Sequence, residues 1–263
     1  MVVPTGLLYI DDTDVATLGL AIARPVRGPW DGIDLRQSAA PVLGKLGRIA
    51  LTDAPVANPR QIVAMGRQVA SSTAALQVLE DALKRLVYDG VVRVCVGDRP
   101  TREWEAKARM RVTPIGGWQT RIAQDVELVF DCDDPTGQDT TDSVVSFSAG
   151  AAECPLGTAP SAPIIRIGGS VTDPEVTLKD HLGQVVATMA FTIVLGAGEW
   201  LEIDCESQTI IDQDGANQAA TFDGSGEFLV LNPYHAAGPD GPWPTLSTSG
   251  GTLAVAEYRR RWL

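Results

Sequence analysis

The residue types that do most chemistry near neutral pH are sparse in this sequence. It holds two histidines, His181 and His235, each in a turn-like stretch with no catalytic partner at a recognisable spacing. Nucleophile-elbow, phosphate-loop, dinucleotide-binding and zinc-protease patterns do not occur. The four cysteines, Cys95, Cys132, Cys154 and Cys205, lack the C-x-x-C spacing of a metal site. Cys95, Cys132 and Cys205 sit in apolar or alternating runs, where a thiol packs as a small hydrophobe. The acids of Asp131–Asp134 (DCDD) lack the Asp-x-Asp-x-Asp-Gly order and distal Glu of a calcium loop. They read as a strand end with an Asp134-Pro135 turn starter, and Asp11, Asp12 and Asp14 read as a turn. Carbohydrate binding needs an exposed aromatic platform with polar neighbours. Trp200 begins a strand, while Trp243 lies in the loop GPDGPWP and is expected to be exposed, as a protein contact or a sugar platform. These residues predict no catalytic group, metal site or cofactor.

Composition points the same way. Charged residues make up 21% and hydrophobic residues 44% of 263, a globular balance large enough for two cores. The net charge of −12 opposes sequence-independent nucleic-acid binding, which needs clustered Lys and Arg. The acid is uneven: Met1–Cys154 carries 16 Lys+Arg against 20 Asp+Glu, and the remainder 5 against 13. No signal peptide is read in MVVPTGLLYIDD, so synthesis in a cytosol is expected. Apolar runs such as Ala190–Leu195 are too short to span a bilayer.

The elements of the first half are mostly strands. Leu7–Asp14 reads as a strand into an acidic turn. Residues Arg24–Pro59 are dense in Gly and Pro and read as a long hairpin or functional arm. Its apolar residues, Trp30, Ile33, Leu35, Val42 and Leu46, are too sparse for a core and too apolar for an idle loop, which marks them as an assembly interface. Arg60–Ala70 is a strand interrupted by Gly66. One helix follows: Ser71 and Ser72 cap it, Leu76, Leu79, Leu83 and Leu86 form a one-sided stripe, and Gly90 ends it. Val91–Val96 is a β-branched run. Trp104–Val112 alternates, and in Arg121–Cys132 the inward set is Ile122, Val126, Leu128, Phe130 and Cys132. A β-barrel or sandwich with one packed α-helix and a long arm is the expected N-terminal fold.

Asp133–Ser143 is polar and turn-rich, and Ala149–Pro163 is rich in small residues and Pro. Together they read as a linker, with domains at 1–137 and 138–263. Beyond it, short strands are expected at Ile164–Ile167, Glu175–Lys179, Val185–Val194, Trp200–Asp204, Thr209–Asp212, Ala219–Phe222, Glu227–Leu231 and Thr252–Glu257. Turn signals at Gly168-Gly169, Asp214-Gly215 and Asp223-Gly224 separate them. This is the pattern of a jelly-roll or lectin-like β-sandwich.

Three stretches together resemble the distal tail protein family of long-tailed phages (siphophages). They are RQIVAMGRQVA with the helix and strand that follow, Arg60–Val96; VELVFDCDDP at Val126–Pro135; and GTAPSAPIIRIGGSVTDPEVTL, GEWLEIDCESQTI and AVAEYRRRWL across the second half. The resemblance implies a virion structural protein at the distal end of the tail, with a ring, hexameric in the family, of tail-tube-like N-terminal domains whose arm and helix are shared between neighbours. It implies a galectin-like C-terminal sandwich pointing toward receptor-binding or adhesion proteins, with the tail tube protein and a tail-associated hub protein as further partners. DNA would be cargo passing through the lumen, and an acidic lining would not hold its phosphates. The galectin patterns His-x-Asn-x-Arg and Trp-x-x-Glu-x-Arg are missing here, so docking is expected of the sandwich. A carbohydrate-binding adhesin module of the tail tip is the alternative.

Overall fold

The computed structural model describes residues 8–22, 35–36, 39–41, 48–50, 56–57, 59–88, 90–97, 99–117, 121–223, 227–238, 240–249 and 253–262, with backbone alone between 35 and 57. The chain divides into two compact units, Met1–Gly137 and Gln138–Leu263.

In the first unit the strands are β1 (Leu8–Ile10), β2 (Thr13–Asp14), β3 (Leu20–Ile22), β4 (Leu35–Arg36), β5 (Ala39–Pro41), β6 (Arg48–Ala50), β7 (Val56–Ala57), β8 (Arg60–Val69), β9 (Val91–Val96), β10 (Arg102–Ile115) and β11 (Ala123–Cys132). The helix α1 (Thr73–Val87) falls between β8 and β9. One antiparallel sheet runs β2-β1-β9-β10-β11-β8-β3. Its inward row, Ile62, Ala64, Val92, Val94, Trp104, Val126, Leu128 and Phe130, is buried, as strict alternation requires. Gly66 interrupts β8 because β3 passes close by: a Cβ there would lie 2.7 Å from the Ala21 carbonyl oxygen.

Ser72 caps α1, its side chain accepting the Ala75 N–H at 3.1 Å. The helix buries Leu76, Leu83 and Val87 and leaves Leu79 and Leu86 half-buried. β4 with β7 and β5 with β6 form nested antiparallel ribbons within the expected arm.

The second unit is a sandwich. Its strands are β12 (Gly137–Asp139), β13 (Ser143–Phe147), β14 (Ala152–Glu153), β15 (Ile164–Gly168), β16 (Val171–Thr172), β17 (Glu175–Lys179), β18 (Val185–Ala190), β19 (Val194–Leu195), β20 (Trp200–Asp204), β21 (Thr209–Asp212), β22 (Thr245–Thr248), β23 (Leu253–Tyr258) and β24 (Arg261–Trp262). A five-stranded sheet β13-β23-β15-β20-β21 faces a four-stranded sheet β14-β22-β17-β18 across a core of Phe147, Ile165, Ile167, Val176, Leu178, Met189, Leu201, Ile203, Leu246 and Ala256.

The fold is thus mainly β with one packed helix, and three local expectations change. The two stretches read as linker contain β12 and β14, flank β13, and bury Cys154 and Leu156. Ala219–Thr221 is a 3-10 turn, and Leu231 joins Ser161 only through an isolated bridge. Ile122 is exposed and Gln124 takes the inward position instead, because the strand begins at Ala123. Among the described residues no helix is long and apolar enough to cross a membrane.

Leu83 is fully buried at the centre of the helix stripe. Truncation by Leu83→Ala should therefore cost about 2–5 kcal/mol in a denaturant melt. A loss below about 0.5 kcal/mol, the scale of surface changes, would mean that the stripe is not core.

Candidate functional site

The expected acid cluster is dispersed into ion pairs. On the wet face of the first sheet, β10 presents a basic row against an acidic row on β11. Arg109 meets Asp131 at 2.7 Å, Lys107 meets Asp133 at 2.8 Å, and Arg67 on β8 meets Asp125 at 2.8 Å. Asp134 turns inward on its own loop and accepts the Thr136 N–H and hydroxyl. Asp11 accepts the Arg93 N–H, Asp12 pairs with the Arg93 guanidinium, and Asp14 caps a 3-10 turn, Val15–Leu18. Among the described residues no three His, Cys, Asp or Glu side chains converge as a metal site would require.

All four cysteines are buried and free. Burial pushes the Cys95 thiol up to about 11 and those of Cys132, Cys154 and Cys205 up to about 12. Nucleophilic attack needs the thiolate, which these values suppress at neutral pH.

A polar chain missed by periodicity crosses the first unit. Gln68 and Gln124, both fully buried, face each other across β8 and β11, and the Gln124 amide donates to Gln68 Oε1 at 2.7 Å. Gln68 donates onward to the Leu18 carbonyl at 2.9 Å. Arg121 donates to Gln124 and, at 2.9 Å, to Glu80, which also pairs with Lys84 at 2.6 Å. Burial pushes the Glu80 carboxyl up, but the hydrogen bond and charge of Lys84 and the charge of Arg121 more than offset this and leave it below its ordinary value. The only signal in the sequence was a glutamine at the same inward phase of two paired strands.

The two histidines, read as isolated, meet. The backbone N–H of His181 and its Nδ1 both contact the His235 carbonyl oxygen at 2.9 Å. The His235 ring packs edge-on against exposed Tyr234, and its Nδ1 is buried with no hydrogen-bond partner among the described residues. Burial lowers the His235 pKa below its ordinary value, against the opposing pull of Asp180.

Of the expected interface residues, Trp30, Ile33, Val42 and Leu46 lie outside the described residues, and Leu35 contributes backbone to β4. Trp243 is half-buried against the sandwich core, not exposed, because Pro244 behind it is buried as the chain enters β22.

No protein-family model matches the chain, and no curated protein matches it in sequence. Solved structures do match in fold, over nearly the whole chain. The SPP1 Dit protein (gp 19.1), described as a paradigm of the hub adsorption apparatus in phages infecting Gram-positive hosts, superposes with a TM-score of 0.74 and 16% identity over 98% of this chain and 99% of that one. A chain of the phage p2 baseplate in its activated conformation with Sr gives 0.53 and 10% over 97% of each chain. One from the baseplate of phage P2 activated with Ca gives 0.51 and 9% over 94% and 92%. At these identities the likeness is one of fold.

The lowered His235 pKa fixes a pH dependence. The unfolded ring titrates near pH 6.5, roughly, so its contribution to stability is complete above that pH and is lost as pH falls toward the lower folded value. The stability of the parent relative to His235→Phe should fall as pH is lowered from about 7.5 to about 5 in thermal melts. A difference independent of pH would show that the ring is not held neutral by the fold.

Proposed function

We propose that this protein is a structural component of a long-tailed phage, forming a ring, hexameric in this reading, at the distal end of the tail. It joins the tail tube protein to the tip and its hub protein, and its sandwich offers docking for receptor-binding or adhesion proteins. The observation that carries the reading is the fold likeness to the SPP1 Dit protein over nearly all of both chains. In this reading the first unit builds the ring, the sandwich is its galectin-like outer domain, and DNA passes through as cargo. No covalent chemistry is assigned to it, in keeping with suppressed thiols and carboxylates committed to ion pairs.

The nested ribbons between Leu35 and Ala57 support the ring. A two-stranded ribbon alone is marginal in water, so this one needs a surface to lie on, and a second copy of the chain supplies it. Residues 23–58 carry 5 Lys+Arg against 3 Asp+Glu, a basic arm in an otherwise acidic protein. A closed ring repeats one head-to-tail contact between arm and neighbour.

Deleting Trp30–Ala54 should leave a folded monomer by light scattering and circular dichroism, while the parent assembles alone or on the tail tube protein. The reading fails if the deletion assembles like the parent, or if the parent stays monomeric even with the tube protein.

A further inference from the structure

One loop of the sandwich is fastened at both ends and at a single place between them. Residues 232–243 lead from Leu231 to Pro244. Leu231 and Ser161 exchange both backbone hydrogen bonds, at 2.8 and 3.0 Å, and the Pro244 carbonyl accepts the Cys154 N–H at 2.9 Å. Trp243, beside that second fastening, packs on the sandwich core. Most of the loop's hydrogen bonds are internal: the His235 N–H donates to the Asn232 carbonyl, Ala236 to Pro233, and Ala237 to Pro242. Among the described residues, its only hydrogen bonds to the rest of the chain come from His181, whose N–H and Nδ1 both donate to the His235 carbonyl at 2.9 Å. His181 belongs to the tight turn Asp180–Gln184 that joins β17 to β18.

The two rings at this contact respond differently to a proton. His181 Nδ1 faces a carbonyl, so it carries hydrogen in the neutral ring as well as in the cation, and protonation leaves that bond in place. His235 is only 6% exposed, and its Nδ1 is buried with no hydrogen-bond partner among the described residues. In the neutral ring that nitrogen can stay bare while Nε2 carries the hydrogen. The cation must carry a second N–H there, with nothing to accept it, which is costly in a buried position. The groups around the ring do not relieve this. Asp180 on the β17–β18 turn is the charge that acts on it, but its Oδ1 accepts the N–H of Leu182 and of Gln184 at 2.9 and 2.8 Å. Tyr234 meets the ring edge-on, and His181 bonds the backbone carbonyl. Burial accordingly favours the neutral ring over the opposing pull of Asp180.

We propose that His235 is an acid-released latch: as a neutral ring it seats residues 232–243 on the β17–β18 turn, and as a cation it frees the loop together with the bonds from His181. The opening is local, because the fastenings at the two ends are backbone hydrogen bonds and do not titrate. The latch fixes two exposed apolar tips relative to one another, Leu182 at 70% on the turn and Tyr234 at 74% on the loop. It concerns the sandwich alone and does not depend on the tail-hub reading.

The test is amide hydrogen exchange of the full-length protein by NMR, each rate divided by the intrinsic rate at the same pH. Protection of the His181 amide should fall about ten-fold or more from about pH 7.5 to about pH 5, because His235 in the open loop titrates near its ordinary value, about 6.5. Amides of β15 and β20 should keep their protection over that range. The His235 ring signals, told from those of His181 by the spectrum of His181→Gln, should titrate below about pH 6.5. In His235→Phe, whose ring cannot titrate, His181 protection should be the same at both pH values. Should phenylalanine not seat in the loop, His235→Gln is a second neutral variant with the same expected result. The proposal is overturned if the parent's His181 amide stays protected at about pH 5, if β15 and β20 lose protection in step with it, if the His235 ring titrates at or above about pH 6.5, or if a folded neutral variant shows the parent's loss.

Discussion

In the first unit the two buried amides of Gln68 and Gln124 set the terms for everything around them. A buried amide left without its partner costs about 1–3 kcal/mol, so all the members of the chain must be in place together. Gln68 reaches the Leu18 carbonyl only if the Val15–Leu18 turn is seated, and Gln124 accepts from Arg121, which also holds Glu80 on the helix. The same register that brings the amides together pairs Arg67 with Asp125 and Arg109 with Asp131 outside. A one-residue slip would turn the core row to water and separate the charges at once. The exposed ion pairs add little energy, and the amides inside do more to fix the alignment.

The second unit is specified differently. Its core is largely apolar and its charge mostly negative, 5 Lys+Arg against 16 Asp+Glu, and its one buried acid among the described residues, Asp139, pairs with Arg260 at 2.6 Å. Alternation in β15, β17, β20, β22 and β23 closes the sandwich, and Tyr258 is a polar exception whose hydroxyl donates to the Pro155 carbonyl at 2.9 Å. That bond ties the last long strand to the stretch preceding β15. The wet face of the five-stranded sheet mixes exposed hydrophobes, Val144, Leu253 and Ile164, with the charges of Arg166, Glu202 and Glu257.

Much of this was legible because period-two and helical patterns are direct records of burial. Trp104–Val112 and the stripe through Leu76 and Leu83 carry unambiguous phases. The differences share one physical cause: a residue's polarity does not fix its place on a strand. Ile122 looked inward because it is apolar, yet it precedes the strand, and Gln124 is inside because its amide finds partners. Ser143–Phe147 lay between polar and Pro-rich runs, and its pairing with β23 joins segments far apart in sequence. The contact of His181 with His235 is equally non-local, so no spacing rule could announce it.

The four thiols are each at most 8% exposed and protonated well beyond neutral pH. Mixed-disulfide exchange and peroxide attack both begin at a solvent-accessible thiolate. The folded chain presents none, so its cysteines remain thiols both in a reducing cell interior and in aerated medium. A change of redox compartment leaves these thiols as they were made.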